Sequence, residues 1–566
     1  MLSAVAFFFY LSGCQLDHIE IKKPPKDRHQ PYNYVGHKGM VVAAHPLAVQ
    51  AGLEVLKKGG NAVDAAIATA FALNAAEPFA SGIGGGGFML IFLAKEKRVT
   101  VINYREKAPG RAYPSMFLDK GKVKNEWRNI HGLAVAVPGA LAGWNYALEK
   151  YGTLKLAETM ERSIQIAEQG FSVSETFSQI NKDEYEKLLL HSGESSPYLF
   201  DGFPYEPGDT FQNQDLAKTL RRIASHGWQD FYNGGIAQRI VEAVQNKGGL
   251  ITKEDLSSYT PIEQLPLKGT YKGFSLYSIQ PPGAGGLHTI QLLNIIENWQ
   301  VRSWGFNSPL YIHHMSEAFR FVFADRAHYL GDPDFVSVPA KHLISKNYAS
   351  QIAAKISPDH LQDSYPPGSI DKELITKQNT THLNVIDEWG NIVCLTQSIN
   401  DFFGSGIVPT DTGFLLNNHM ADFSPQPDSI NAPRPYRRPV SSMAPLILFN
   451  QESPFLILGS PGGTRIFPTL TQIVINIIEF GMSLDEAIEA PRFFSYSTQG
   501  KARSLFVESR IRPETILSLE EIGHTVELRD AYDKFFGGAQ GIMILSGQKI
   551  ILGGADSRRD GAGEGY

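Results

Sequence analysis

The chain changes character abruptly at residue 380. The preceding segment, 357–379, is polar and contains prolines, a composition that predicts an exposed loop rather than part of a core. Directly after Thr380, residues 381–386 and 392–398 are rich in β-branched and apolar residues and flank a short turn, which predicts a β-hairpin. In any fold of this chain, an exposed loop must therefore lead directly into the first strand of a hairpin.

A threonine at such a junction becomes a nucleophile if the chain is cut before it. A threonine hydroxyl is a weak nucleophile unless a base lies next to it, and a newly freed α-amine is such a base. Because the α-amine has an ordinary pKa of about 7.7–8.0, part of it is neutral at working pH. Two threonines before a strand are also common in ordinary proteins, so the junction alone leaves cleavage between Asn379 and Thr380 as a hypothesis.

Composition excludes several classes of protein. The net charge is −6 with no long block of one sign, which argues against a nucleic-acid partner. The two cysteines, Cys14 and Cys394, are too few for a cysteine zinc site or a disulfide framework. His313, His314 and His382 lack the spacing of a zinc motif and are interpreted as core or surface histidines. No metal and no cofactor are predicted.

A glycine-rich run at 82–87 matches the pattern G-x-G-x-x-G of dinucleotide-binding proteins. That pattern binds a pyrophosphate only when a strand precedes the glycines and a helix follows them. Here an alanine-rich helix at 62–75 is predicted before the run and a strand at 88–94 after it. The glycines are therefore interpreted as positions of close packing and close backbone approach.

The N-terminus indicates export. Residues 1–13 form an apolar segment that is too short to span a bilayer and has the length of a signal core. The segment ends in Leu-Ser-Gly-Cys at Cys14, which resembles the bacterial lipoprotein signal, although no Lys or Arg precedes it. An unlipidated export signal is the alternative. Residues 14–36 are then the lipidated cysteine and a charged, proline-containing tether. By analogy with Gram-negative lipoproteins, Gln15 indicates the outer membrane facing the periplasm, with contact to the membrane only through the lipid.

Hydrophobic periodicity in the rest of the chain predicts a mixed α/β protein. Short polar and glycine-rich motifs accompany the predicted elements. These motifs lie at 59–66, 84–88, 104–106, 136–139, 331–333, 379–382, 387–391, 403–407, 415–423, 438–443 and 459–463. Their order and content resemble the γ-glutamyltranspeptidases, a family of N-terminal-nucleophile hydrolases, from about residue 37 to Tyr566.

The resemblance implies an α/β (α+β) fold, the four-layer αββα sandwich of that superfamily. It also implies self-cleavage at Asn379–Thr380 into a large subunit, 37–379, and a small catalytic subunit, 380–566, which stay together as a heterodimer. Thr380 would attack the γ-glutamyl amide of glutathione and related compounds. Water would then release the γ-glutamyl group by hydrolysis, or the amine of an amino acid or peptide would do so by transpeptidation.

The family's remaining catalytic positions fall on three residues of this chain. The backbone N–H groups of Gly462 and Gly463 would bind the oxyanion that forms on attack. Ser398 stands where the family carries a threonine that hydrogen-bonds the region of the nucleophile, and it keeps the hydroxyl.

Other motif positions imply a substrate site with two opposite charges. Arg105 matches the arginine that binds the α-carboxylate of the γ-glutamyl group, and Ser441 and Ser442 match the serines that donate to the same carboxylate. Asp422 matches the acid that binds the α-ammonium, helped by Asn400.

One position departs from the family, and it keeps a rival function open. His419 stands where Gln or Glu is usual near the substrate amine, and a cationic imidazole opposes an ammonium, whereas a neutral one accepts a hydrogen bond. The lid segment 424–437 is also short. The rival is an acylase of the same superfamily, of glutaryl-cephalosporin or polyglutamate type. A second rival is an uncleaved lipoprotein that binds peptides without catalysis.

Overall fold

The computed structural model describes residues 32–193, 196–367, 379–496 and 504–566. The predicted signal at 1–13, Cys14 and most of the predicted tether lie outside the described residues. The last residues of the tether are described, and Tyr34–Gly36 form a strand that pairs with residues 551–553. These residues, which the sequence assigned to the tether, add a strand to the edge of a sheet.

Two seven-stranded antiparallel sheets form the centre of the described protein. Strands are numbered in chain order. The first sheet runs β1 (Tyr34–Gly36), β20 (Ile550–Ala555), β19 (Gln540–Leu545), β15 (Ser453–Gly459), β14 (Leu446–Asn450), β11 (Phe274–Ser278) and β10 (Leu267–Tyr271). The second runs β21 (Ala562–Gly565), β2 (Met40–Ala43), β12 (Thr381–Ile386), β13 (Ile392–Ser398), β3 (Gly86–Leu93), β4 (Arg98–Asn103) and β9 (Ile262–Gln264).

Smaller strands and the helices complete the described elements. The small strands are β5 (Leu118–Asp119), β6 (Lys122–Val123), β7 (Phe171–Ser172), β8 (Thr210–Phe211), β16 (Phe493–Ser495), β17 (Ser504–Glu508) and β18 (Thr525–Arg529). The helices are α1 (Pro46–Lys57), α2 (Ala62–Ala76), α3 (Asn125–Asn129), α4 (Ala140–Tyr151), α5 (Leu156–Gln169), α6 (Glu175–Asp183), α7 (Tyr185–Ser192), α8 (Gln214–His226), α9 (Asp230–Asn233), α10 (Gly235–Asn246), α11 (Lys253–Ser257), α12 (Ala284–Ile296), α13 (Val301–Trp304), α14 (Pro309–Tyr329), α15 (Ala340–Leu343), α16 (Lys346–Ala353), α17 (Ile466–Ile478), α18 (Leu484–Glu489) and α19 (Pro513–Ile522).

Alternating side chains build the layers. In β2, Met40 and Val42 pack in a core that the two sheets share, whereas Val41 packs with helices α1, α2, α4 and α5 on the outer face. In β14, Ile447 enters the shared core and Leu446 packs with helices α12, α14 and α17 on the opposite outer face. Because successive residues of a strand point to opposite faces, each sheet is covered on both sides. The predicted αββα sandwich is confirmed.

The predicted hairpin is confirmed as strands β12 and β13, with bounds 381–386 and 392–398. Asp387 closes its turn by accepting hydrogen bonds from the backbone N–H of Trp389 at 3.0 Å and of Asn391 at 2.9 Å. The same carboxylate accepts from the N–H of Ala62, the first residue of α2, at 2.9 Å. The turn thus anchors the hairpin to the helix layer. Within the described ranges, no helix combines the length and the apolarity that crossing a membrane requires.

Candidate active site

Thr380 lies directly before β12, an inner strand of the second sheet. It precedes Thr381, the first residue of β12 to pair with β13. Its Oγ1 donates a hydrogen bond to the carbonyl oxygen of Asn379. The hydroxyl of Ser398, at the end of β13, donates to the same oxygen at 2.8 Å. The carbonyl of the Asn379–Thr380 peptide bond therefore faces two hydroxyl groups in a buried place.

Asn400 holds this arrangement from the loop after β13. Its backbone N–H donates to Ser398 Oγ at 2.7 Å, and its carbonyl accepts from the N–H of Asn379 at 2.7 Å. Asn400 adopts a left-handed conformation with φ of 80°, which asparagine tolerates better than most residues. Its side-chain amide donates to the carbonyl of Asn418 at 3.1 Å, which joins the nucleophile's loop to the segment that carries Asp422.

A chain of four buried charged or ionisable side chains lies beside Thr380. Arg105, which follows β4, contacts Asp422 through Nη2 and Glu106 through Nη1, the latter at 3.2 Å. Nδ1 of His419 lies 2.7 Å from the other carboxylate oxygen of Glu106. Burial alone would raise the pKa of Glu106, but the neighbouring His419 and Arg105 outweigh burial and lower it.

The short 3₁₀ turn His419–Asp422 is fixed by side-chain amides and by glycines. The amide of Asn417 donates to the carbonyls of Gly84 at 2.8 Å and Ala136 at 2.9 Å.

A Cβ on Gly85 would lie 2.1 Å from the carbonyl oxygen of Ser398. The glycine-rich run is thus packed against the nucleophile's loops, where no side chain fits.

The serine pair lies before β14. The backbone of Ser441 is fixed by bonds from its N–H to Pro282 and from Ala284 to its carbonyl, at 2.8 and 2.7 Å. Its hydroxyl accepts from the N–H of Met443. The buried hydroxyl of Ser442 has no partner among the described residues. A buried hydroxyl of this kind is available to donate to a ligand.

Gly462 and Gly463 lie between β15 and α17. Both have a positive φ, 122° and 56°, so a side chain at either position would strain the backbone. Gly463 begins a 3₁₀ turn that leads into helix α17. The glycine turn that the sequence predicts after a strand is present, and Gly463 lines the same pocket as Thr380.

One pocket collects most of the predicted site residues. It is lined by Asn379, Thr380, Asn400, His419, Asp422, Ser441, Ser442, Met443, Gly463 and Ile466. Arg105 and Ser398 contact lining residues directly, and Gly462 adjoins Gly463. Glu106, Met443 and Ile466 were not predicted as site residues. Glu106 follows Arg105 in the motif 104–106, and only its contact with His419, distant in sequence, reveals its place.

The three histidines considered for a metal lie in the core. His382 contacts Thr396 and Asn384, and burial lowers its pKa to about 3. His313 contacts His524 at 2.9 Å. In the part of the chain that the structure describes, no group of three or more His, Cys, Asp or Glu side chains is placed to hold a metal ion.

Comparison with known proteins gives the family. A family model described as gamma-glutamyltranspeptidase matches residues 48–566. The chain belongs to the γ-glutamyltranspeptidase family. It is therefore an enzyme, which excludes the alternative of a non-catalytic peptide-binding lipoprotein.

Three similar proteins show how far this γ-glutamyltranspeptidase family member agrees with its relatives. The glutathione hydrolase proenzyme of Escherichia coli (strain K12) is 41% identical, over 90% of this chain and 88% of that protein. The protein of the same name from Bacillus subtilis (strain 168) is 37% identical, over 100% and 98%. The crystal structure of a cephalosporin acylase from Bacillus halodurans has a TM-score of 0.85 and 28% identity, covering 97% of this chain and 99% of that one.

Proposed function

We propose that the chain is a precursor that cuts itself between Asn379 and Thr380 and then transfers or hydrolyses γ-glutamyl groups through Thr380. One observation carries this proposal: the Thr380 hydroxyl lies hydrogen-bonded to the Asn379 carbonyl, inside a pocket that also presents Asp422 and contacts Arg105. The similarity to glutathione hydrolase proenzymes supports it. Residues 37–379 and 380–566 become the large and small subunits of a heterodimer.

Self-cleavage begins with attack of Thr380 Oγ1 on the carbonyl carbon of Asn379. The C–N bond to Thr380 breaks, its nitrogen takes a proton, and an ester joins Asn379 to the threonine oxygen. Water then hydrolyses the ester, which leaves a carboxylate on Asn379 and frees both the hydroxyl and the α-amine of Thr380. The bond from Ser398 to the Asn379 carbonyl stabilises the oxyanion of the first step.

Replacing Ser398 with alanine is expected to slow self-cleavage about 100-fold, because one donor to the developing oxyanion is lost. The measurement is a time course of the mass of the 380–566 fragment. Ser337→Ala is the control, because Ser337 is exposed and outside the pocket. A Ser398→Ala precursor that matures at the wild-type rate contradicts this role.

In the mature enzyme the α-amine of Thr380 accepts the hydroxyl proton as Oγ1 attacks the γ-carbonyl carbon of the substrate. The N–H groups of Gly462 and Gly463 bind the oxyanion. The leaving amine takes the proton back, and a γ-glutamyl ester of Thr380 remains. Water then attacks this ester and gives glutamate, or an amino-acid or peptide amine attacks it and gives a new γ-glutamyl amide. The residues of the site supply each of these steps without a cofactor.

The pocket offers complementary groups for both charges of a γ-glutamyl substrate. The unpartnered hydroxyl of Ser442 binds the α-carboxylate, with Ser441 beside it, and Arg105, which contacts Asp422 behind the pocket lining, adds its guanidinium. Asp422 and Asn400 bind the α-ammonium. Because the site is buried, these contacts are stronger than the same contacts in water.

An acylase function is the second candidate, and the position of His419 in the pocket lining keeps it open. If His419 is cationic there, it occupies the ammonium side of the pocket with positive charge and favours an acyl group that has no ammonium, such as glutaryl. If His419 is neutral and its Nδ1–H donates a hydrogen bond to Glu106, its Nε2 is left to accept a hydrogen bond from the ammonium. The likeness to a cephalosporin acylase supports keeping this candidate.

Two anilides with the same leaving group decide between these functions, one γ-glutamyl and one glutaryl. We expect kcat/KM to be about 100-fold higher for the γ-glutamyl anilide, because its charged ammonium donates hydrogen bonds to Asp422 and Asn400 that the glutaryl group cannot make. Glutathione is expected to release glutamate under the same conditions. A higher kcat/KM for the glutaryl anilide would assign the acylase function, and hydrolysis of neither substrate would remove both.

We also propose that the protein is exported and held by a lipid on Cys14 at the outer membrane of a Gram-negative bacterium, facing the periplasm. The apolar segment 1–13 and the Leu-Ser-Gly-Cys sequence support this location, and Gln15 supports the outer rather than the inner membrane.

A further inference from the structure

A second cavity lies apart from the Thr380 pocket. It has a volume of about 470 Å³, and its lining comes from helix α3 and the residues just after it, from helix α7, and from the end of helix α10 with the turn that follows. The lining residues that the structure describes are different for the two cavities. Small molecules bind in protein cavities of about 300–1,000 Å³. The size of this cavity is therefore that of a small-ligand site.

The apolar part of the lining consists of three large side chains. Trp127 and Ile130 come from α3 and its end, and Leu190 comes from α7. Leu190 is 58% exposed, so most of its surface is free to contact a ligand. These side chains favour a ligand with an apolar group, because the contact removes apolar surface from water on both partners.

The charged lining residues carry opposite signs. Lys247 and Glu126 both line the cavity, and both are exposed. Burial and the nearby Lys247 lower the pKa of His191 to about 4. Burial also lowers the pKa of His131, although Glu126 opposes this change. Both histidines are therefore neutral at neutral pH, and the described lining keeps one cation and one anion.

The two histidines add neutral hydrogen-bonding groups. Nδ1 of His131 accepts a hydrogen bond from the backbone N–H of Leu133 at 3.2 Å, so the proton of the neutral ring is on Nε2, which is left to donate. Both ring nitrogens of His191 are buried. The carbonyl of Ile130 accepts from at most one of them, so the other has no partner among the described residues. A buried polar atom of this kind is available to a ligand.

The walls of the cavity are fixed without a ligand. Nη2 of Arg128, in α3, donates to the carbonyl of Ala421 at 2.9 Å, which anchors the helix to the interior. The N–H of Gly132 donates to the carbonyl of Lys247 at 3.0 Å, which joins the segment after α3 to the end of α10. A ligand that enters therefore meets walls that it does not have to order, and this favours its affinity.

We propose that this cavity is a second ligand site, which binds a free amino acid with an apolar side chain. Lys247 and the Nε2–H of His131 bind the α-carboxylate, and Glu126 binds the α-ammonium. Trp127 and Leu190 contact the apolar side chain. The site is separate from the proposed reaction, so binding alone tests it.

The test is isothermal titration calorimetry of L-phenylalanine with the purified protein, without any γ-glutamyl donor. Two probes each lack one charged group of this amino acid, because 3-phenylpropionate has no ammonium and phenethylamine has no carboxylate. L-Phenylalanine is expected to bind at least about tenfold more tightly than either probe, since each probe loses a hydrogen bond to a charged residue. L-Alanine, which has no ring, is expected to bind at least about tenfold more weakly.

Substitutions of the exposed charged residues locate the ligand. Glu126→Gln is expected to weaken binding of L-phenylalanine about tenfold and to leave 3-phenylpropionate unchanged, whereas Lys247→Gln weakens binding of both. Lys253→Gln is the matched control, because Lys253 is exposed and outside the cavity. Arg105→Lys, which changes the Thr380 pocket, is expected to leave binding of L-phenylalanine unchanged. The melting temperature of each variant is measured as well, and exposed positions are expected to keep the wild-type value.

Three outcomes overturn the proposal. One is the absence of saturable binding of L-phenylalanine. Another is equal affinity for L-phenylalanine and 3-phenylpropionate, since Glu126 would then contribute nothing to recognition. The third is loss of binding in Arg105→Lys together with full binding in Lys247→Gln, which would place the ligand in the Thr380 pocket. Failure of the proposed function is distinguishable, because it would show in cleavage and hydrolysis and would not alter these titrations.

Discussion

Replacing Thr380 with alanine is expected to leave the 566-residue chain uncut and to abolish hydrolysis. The hydroxyl of Thr380 is the group that contacts the Asn379 carbonyl, and the α-amine that serves as base is created only by the cut. Both the nucleophile and the base are lost in one substitution. Losing a nucleophile of this kind lowers kcat by about 10⁴-fold or more. Mass spectrometry of the purified protein and an anilide assay measure the two effects.

Two control variants make this result specific. Thr380→Ser keeps a hydroxyl at the same place and is expected to give the 380–566 fragment. Thr410→Ala removes a threonine hydroxyl from an exposed turn and is expected to leave both cleavage and hydrolysis unchanged. A Thr380→Ala chain that still yields a fragment beginning at residue 380 would show that another group cuts the chain.

Replacing Arg105 with lysine is expected to lower kcat/KM for a γ-glutamyl anilide about 1000-fold, mainly through a higher KM. The guanidinium binds a carboxylate through two charge-assisted hydrogen bonds, and each is worth about 1.5–3 kcal/mol. Lysine keeps the charge but cannot form the paired contact. The charge also keeps the buried carboxylates of Glu106 and Asp422 compensated, so the variant is expected to fold.

Arg111→Lys is the matched control for this substitution, because Arg111 is exposed and outside the pocket. The steady-state KM and the melting temperature are measured together. A raised KM with little change in melting temperature supports a carboxylate-binding role. An unchanged KM, with activity lost only through a lower melting temperature, contradicts it and leaves Arg105 with a structural role.

Local sequence signals predicted much of the fold. The bounds of β12 and β13 follow from their apolar and β-branched residues and from the turn between them. Strand β1 could not be predicted, because Tyr34–Gly36 is too short to show a pattern and is extended by pairing with β20. The four layers followed from family resemblance, since the order of strands in a sheet depends on contacts between distant segments.

Site residues that belong to sequence motifs could be predicted, whereas contacts between segments distant in sequence could not. Thr380 and Arg105 stand in motifs with a recognisable order, and the pocket brings their neighbourhoods together. Glu106 stands in a motif too, yet its contact with His419 joins two segments that no local pattern links. The hydrogen bond from Arg559 to the carbonyl oxygen of Thr380 likewise joins distant segments, because it depends on how the C-terminal strand β21 returns to the second sheet.

Strand order also determines how long the cut protein survives. In the second sheet, β12 and β13 from beyond residue 380 lie between β2 and β3 from before it, and in the first sheet β14 lies next to β11. Once cut, the two pieces separate only if these ladders break. Reassembly then requires two chains to meet, at a rate that depends on concentration and competes with aggregation. The lifetime of the mature enzyme is therefore governed by how slowly it unfolds, whereas the uncut precursor can refold alone.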